Sequence, residues 1–134
     1  MADQVETYER TDGREANTLR DTGLPIILLT TVGASSGKVR KSALMKVSHA
    51  GEYALVASKG GDPNHPAWYH NLVAHPTSVL IQDGPEPWEA TVREVDGDER
   101  QRWWDLAVRA HPPYAEYQAR TDRLIPVLVA RPAS

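Results

Sequence analysis

Apolar and polar positions change rhythm several times along this chain. From Leu24, the stretch P-I-I-L-L-T-T-V is short, apolar and β-branched, and it lies between Asp-Thr-Gly and Gly33, which predicts a buried strand followed by a turn over Gly33 to Lys38. Lys41 to Ser48 alternates imperfectly, and His49-Ala50-Gly51 separates it from E-Y-A-L-V-A-S at 52–58, so the two runs predict an antiparallel hairpin. Pro66 suits the first turn of a helix, where its missing N–H would be unpaired anyway; that helix carries Trp68, Tyr69, Leu72 and Val73 and closes at His75-Pro76. Ser78 to Gln82 and Trp88 to Val95 predict two strands across the turn D-G-P-E-P. Asp96, with Glu99 three positions on, predicts a capped helix that buries Trp103, Leu106 and Val108 and stops at His111-Pro112-Pro113. A short helical turn with Tyr114 and Tyr117 follows, and I-P-V-L-V-A at 125–130 is the last strand.

Six strand-like runs with two or three helices in this order fit neither a repeating βαβ pattern nor a helical bundle. They predict a mainly β fold, a small antiparallel barrel with helices packed on its outside. Residues 1–20 are charged, with sparse apolar positions at Val5, Tyr8 and Leu19, and read as an N-terminal arm or loose helix. At 134 residues the chain suits one core, so residues 21–134 are read as one domain.

Composition removes several classes of function. With no cysteine, disulfide frameworks, thiolate metal sites and iron–sulfur clusters are excluded, and the cytoplasm is the default compartment. A net charge of −3 argues against general nucleic-acid binding. The apolar run from Leu24 to Val32 is far shorter than a membrane span. His65, His70 and His75 recur every five residues, a spacing that would turn successive rings apart on a helix, so no metal site is expected. Motifs of serine hydrolases, dinucleotide folds and nucleotide triphosphatases are missing.

The candidate chemistry sits in three separated segments. In S-S-G-K-V-R-K at 35–41, Lys38, Arg40 and Lys41 lie beside a glycine and hydroxyls, a set able to converge on a phosphate. In A-S-K-G-G at 57–61, Ser58 and Lys59 stand at a strand end, and Gly60-Gly61 lets a ligand approach the backbone. Each also reads as an ordinary solvated turn. Tyr114 and Tyr117 share a helical face and place two phenols together, either to orient a polar acceptor or as a packed pair. Thr121-Asp122-Arg123 reads as a local structural brace.

Eight motifs taken together resemble the deazaflavin (coenzyme F420)-dependent nitroreductase and quinone reductase family. They are L-L-T-T-x-G at 28–33, S-G-x-x-R-K-S-x-L at 36–44, V-A-S-K-G-G at 56–61, P-x-W-Y-x-N-L at 66–72, A-x-P at 74–76, E-R-x-x-W-W at 99–104, P-x-Y-x-x-Y at 112–117 and T-D-R-x-I-P at 121–126. The resemblance implies a split β-barrel related to flavin-binding split barrels, with coenzyme F420 as hydride donor and a quinone, nitroaromatic or activated alkene (enone) as acceptor. It implies cofactor contacts from Ala34, Ser35, Ser36, then Arg40, Lys41, Ser42 and Ala43, with Lys38 nearby. It adds the strand end Val56, Ala57, Ser58 and Lys59, and the helix start Ala67, Trp68, Tyr69, His70 and Asn71. Ser58 is then expected to hydrogen-bond the ring or the acceptor, Tyr114 to position the acceptor, and Tyr117 or His111 to tune protonation.

The chain departs from the family at two places. Ala34-Ser35 stands where the family usually has Arg-Lys, which leaves the acidic tail to Lys38, Arg40 and Lys41, and His111 replaces a tyrosine of the nitroimidazole-reducing relative. A deazaflavin or amphipathic-ligand carrier without turnover, and an FMN or haem split-barrel protein with His70 or His111 axial, are the alternative readings. Peripheral membrane contact and a homodimer are compatible with the family, and neither has a mark in the sequence.

Overall fold

A computed structural model describes Glu9, residues 25–61 and residues 63–133. The expected N-terminal arm, apart from Glu9, and Leu24 at the head of the first strand lie outside the described residues. Seven strands form one sheet in the order β2-β1-β5-β6-β7-β4-β3, with antiparallel pairing throughout. They are β1 (Ile26–Val32), β2 (Val39–Met45), β3 (Ser48–His49), β4 (Glu52–Val56), β5 (Val79–Gln82), β6 (Pro87–Val95) and β7 (Val127–Pro132). Among the elements that rest on described residues, three α-helices accompany them: α1 (Ala67–Ala74), α2 (Gly97–Ala110) and α3 (Pro113–Arg120). The fold is the mainly β split barrel with outer helices that the sequence predicts.

The uninterrupted apolar runs follow from burial on both faces of the sheet. Alternate residues of β1, β4 and β7 enter two separate cores. Ile26, Leu28, Ala54, Val56, Val127 and Val129 face a core closed by Trp103 and Ala107 of α2 and Tyr114 of α3. Ile27, Leu29, Leu55, Leu128 and Ala130 face the other, which Trp68 and Leu72 of α1 close together with β5 and β6. The helices that carry the candidate aromatics are therefore anchored on opposite sides of the same strands.

One expected pairing is corrected. The run at 41–48 does not form a long hairpin with 52–58: β2 pairs along its whole length with β1, from Ile26 opposite Met45 to Val32 opposite Val39. Only Ser48 and His49 turn back onto β4, through Ala50 and Gly51, both at positive φ. The extra short strand makes the count seven instead of six. The capping box at α2 is also absent: Asp96 is the N-cap without a side-chain cap bond, and Glu99 instead grips Arg93 at 2.5 and 2.7 Å. Of the three residues expected to be buried on α2, Trp103 is; Leu106 and Val108 are half-buried, and Ala107 is the fully buried position between them.

Candidate functional site

Two adjoining cavities open where β2, the end of β4, α1 and α3 meet. The first, of about 390 Å³, has an apolar wall from Ile26, Met45 and Val56, with Trp68 beside them and Tyr114 and Tyr117 over its mouth. Ser58, Lys59 and His111 bring polar groups to it, together with Lys41 and Ser42, and Pro66, Ala43 and Leu44 also line it. The second, of about 590 Å³, runs along the loop 33–38, where Ala34, Ser35 and Ser36 face Arg40, His70 and Asn71. Lys41, Ser42 and Trp68 belong to both walls, so the apolar slot continues directly into the cationic trough. Among the described residues no carboxylate lines either cavity. Such a pair of spaces suits a flat, mostly apolar ring joined to an anionic chain.

The aromatic roof is a packed cluster. Tyr114 lies 4.8 Å from the His111 ring and 6.1 Å from the Tyr117 ring, both nearly edge-on, and Tyr117 is 6.0 Å from His111. Burial, then the neighbouring Tyr117, raises the Tyr114 phenol above its ordinary value, so near neutral pH it is a hydrogen-bond donor and not a base. Burial holds His111 below the usual histidine range, so its ring is neutral at pH 7, and its buried Nδ1 has no partner among the described residues. A neutral phenol and a neutral imidazole with spare hydrogen-bonding capacity thus cover the slot.

Gly61 does something different from the expected opening to a ligand. Lys59–Gly61 is a turn of 3-10 helix packed on α3. Gly61, at φ +82°, is buried, and a Cβ there would lie 2.7 Å from the Tyr117 carbonyl oxygen. The glycine admits the backbone of the tyrosine helix, which fixes that helix over the slot.

Asn71 organises the trough from behind. Its Oδ1 accepts from the Ala34 N–H at 3.0 Å, and its Nδ2 donates to Thr31 Oγ1 at 3.1 Å, so α1 is stitched to β1 and to the loop 33–38. Asn71→Ala is expected to cost about 2 kcal/mol of stability through the buried Thr31 hydroxyl, and to weaken binding of an anionic ligand about tenfold as the loop loses its anchor. Thermal melting and a binding titration check both effects.

The remaining expected site residues are placed unevenly. Ala43 and Val56 line the first cavity and Ala67 the second, whereas Lys38, Ala57 and Tyr69 line neither. Ala57 is fully buried in the second core. Tyr69 turns to β6, where its hydroxyl donates to Glu94 at 2.6 Å; burial and then that bond push its phenol up to about 12. The histidine spacing also misleads: His65 precedes α1, and its ring comes within 6.0 Å of His70 instead of turning away. Among the described residues, no group of side chains could hold a metal ion. The expected local brace at Thr121-Asp122-Arg123 is present, with Thr121 Oγ1 accepting the Arg123 N–H at 3.4 Å, and the Arg123 side chain reaches further, to the carbonyls of Ala57 and Ser58.

A family model described as F420H(2)-dependent quinone reductase matches residues 1–132. A curated relative of that name from Mycobacterium tuberculosis is 38% identical over 125 residues, covering 91% of this chain and 83% of its own. A solved structure titled F420-H2 Dependent Reductase (FDR-A) is 58% identical, with TM-score 0.75, and covers 80% of this chain and 94% of its own. Another, titled a domain-swapped dimer, is 51% identical, with TM-score 0.78, and covers 97% of this chain and 93% of its own.

Proposed function

This chain belongs to the F420H(2)-dependent quinone reductase family, and we propose that it reduces a quinone-class acceptor held under the Tyr114–Tyr117 roof, with the F420 ring in the first cavity and the anionic tail along the second. The observation that carries this reading is the shared wall of Lys41, Ser42 and Trp68, which makes one continuous site from an apolar slot and a trough that carries Arg40 and Lys41. The chemistry supplied by bound reduced F420 is hydride donation, so the protein needs neither a metal nor a nucleophile of its own.

What remains for the side chains is binding, orientation and proton handling. Ile26, Met45, Val56 and Trp68 exclude water from the ring. Arg40 and Lys41 face the tail, where the family's usual cation pair is replaced by Ala34-Ser35. Ser58, 8% exposed at the end of β4, offers a hydroxyl to the ring or to the acceptor. Tyr114, a neutral phenol on the cavity wall, would donate from Oη to the acceptor oxygen, which gains negative charge on reduction. Reduction of a quinone to a hydroquinone takes up one proton besides the hydride, and we assign its delivery to the neutral His111 with Tyr117, which both line the cavity. Nitroaromatics and enones, also electron-poor and oxygen-bearing, fit the same roof. A homodimer is the corresponding proposal for assembly, on the likeness to the relative titled a domain-swapped dimer. Among the described residues no helix is long and apolar enough to cross a membrane.

Mixing the purified protein with reduced F420 and menadione tests the reading. Oxidation of F420 is expected, and Tyr114→Phe is expected to lower kcat roughly 100–1000-fold while leaving F420 affinity within about twofold, as for loss of one donor to a developing oxyanion. Binding without oxidation would favour a carrier role, and no binding would remove the assignment.

A further inference from the structure

The walls of the first cavity come from segments distant in sequence, and one side chain ties them together. Arg123 Nη2 donates to the Ser58 carbonyl at 2.7 Å, and Nη1 donates to the Ala57 carbonyl at 3.1 Å. Nη1 also lies 3.0 Å from His65 Nδ1, in the segment leading into α1. From the other side, Gln118 of α3 donates from Nε2 to the Arg123 carbonyl at 2.8 Å and accepts the Ile125 N–H at 2.9 Å. The end of β4, the approach to α1 and the tyrosine helix therefore all meet at the Arg123 loop.

The clamped segment is one that needs holding. Lys59 has φ +46°, a left-handed conformation disfavoured for a residue with a Cβ, yet its side chain and that of Ser58 line the cavity. The Ser58 carbonyl receives the Gly61 N–H at 2.9 Å as well as the guanidinium, so the turn is pinned from inside and outside.

The His65 contact fixes a protonation state. A guanidinium only donates, so Nδ1 of His65 must present its lone pair and the ring proton must sit on Nε2. A protonated His65 has no acceptor to offer and sets a second cation against the first. Facing His65 are Arg123 from its loop, Tyr69 at 4.6 Å and His70 at 6.0 Å between ring centroids, and the carboxylate of Glu94 on β6.

We propose that Arg123 is a positioning residue for the F420 cavity, holding Ser58 and Lys59 against the ligand while His65 is neutral, and that protonation of His65 loosens this wall. The proposal rests on the assignment of the cavity to F420. Burial, then Arg123 and His70, lower the His65 pKa against an opposing effect of Glu94. A base whose pKa is lowered in the folded state contributes fully above its ordinary value of 6.5. Its contribution declines as pH falls below that value and is gone beneath the lowered pKa.

The test uses the full chain as wild type, Arg123→Gln and His65→Gln, the last keeping a neutral acceptor at every pH. Nitrogen NMR of the imidazoles reads tautomer and titration, and calorimetry reads affinity for oxidised F420 from about pH 8 to pH 5. His65 is expected as the Nε2–H tautomer in wild type, and its titration moves up in Arg123→Gln. Wild type is expected to lose about tenfold more F420 affinity than His65→Gln across that range, a coupling of the usual size between two linked sites. The ligand's own ionisations are common to both proteins and cancel in this ratio. An Nδ1–H tautomer, an unmoved titration or parallel affinity profiles overturn the proposal. If Arg123→Gln does not fold, the wild-type tautomer and the His65→Gln comparison decide alone. Absence of F420 binding at every pH removes the cavity assignment, and the tautomer then judges the clamp by itself.

Discussion

Gly61→Ala is expected to abolish quinone reduction and to lower the melting temperature by roughly 6–12 °C, from a destabilisation of about 2–4 kcal/mol in a chain of this length. Two costs combine. The residue sits at φ +82°, and the new Cβ would meet the Tyr117 carbonyl oxygen at 2.7 Å and its Cα at 3.1 Å, both backbone atoms that no rotamer change can move. Relief requires α3 to lift from the turn, and α3 carries Tyr114 and Tyr117 over the slot. Gly51→Ala separates the two costs: its φ is +81°, but nothing lies within 4 Å of its added Cβ. That variant is expected to lose only about 1 kcal/mol and to retain turnover. Melting curves and F420 oxidation on both proteins check the contrast; equal losses in the two would mean that backbone conformation alone matters and that α3 is not held by Gly61.

Gly61 also marks where sequence reading ends. A glycine pair after a strand says that something approaches the backbone closely, but not what, and here it is a helix far downstream. The same limit explains the strand exchange. The residue pattern of β2, polar at Arg40 to Ser42 and apolar at Ala43 to Met45, is the same whichever strand lies beside it, so pairing with β1 instead of β4 is decided by the sheet as a whole. Elements bounded by local chemistry were legible: β1 between turns, the β5–β6 hairpin around its proline-rich turn, and the helices that begin at prolines or an aspartate. At the site, spacing and resemblance place both cationic segments and the tyrosine helix around one mouth, as Lys41, Lys59, Tyr114 and Tyr117 show. Arg123 was invisible as a long-range clamp because its partners, Ala57, Ser58 and His65, lie outside the local window in which a T-D-R turn is read. The histidines misled for a related reason: the five-residue rule assumes one helix, and α1 begins only at Ala67.

Lys41→Glu is expected to weaken F420 binding roughly 30–1000-fold, with kcat at saturating cofactor changed no more than about twofold. Lys41 is the charged residue common to both cavities, placed where the ring and tail of the ligand would join. Its side chain is 38% exposed, so water screens it, and a unit-charge contact there is worth nearer the 1 kcal/mol of bulk water than the roughly 4 kcal/mol of a sheltered protein surface. Reversal removes that attraction and adds a comparable repulsion, which gives about 2–4 kcal/mol in total. Added salt should weaken wild-type binding and narrow the gap to the variant. Glu9 sharpens the argument, because its carboxylate pairs with Lys41 Nζ and must yield if an anionic tail takes that position. An exposed pair of this kind is worth about 0–1 kcal/mol, so Glu9→Gln is expected to tighten F420 binding by up to about fivefold. Opposite shifts in F420 affinity from the two substitutions, measured by titration at low and high salt, place the tail beside Lys41. A fall in kcat with unchanged affinity in Lys41→Glu would instead put the lysine at the reacting ring and move the tail elsewhere.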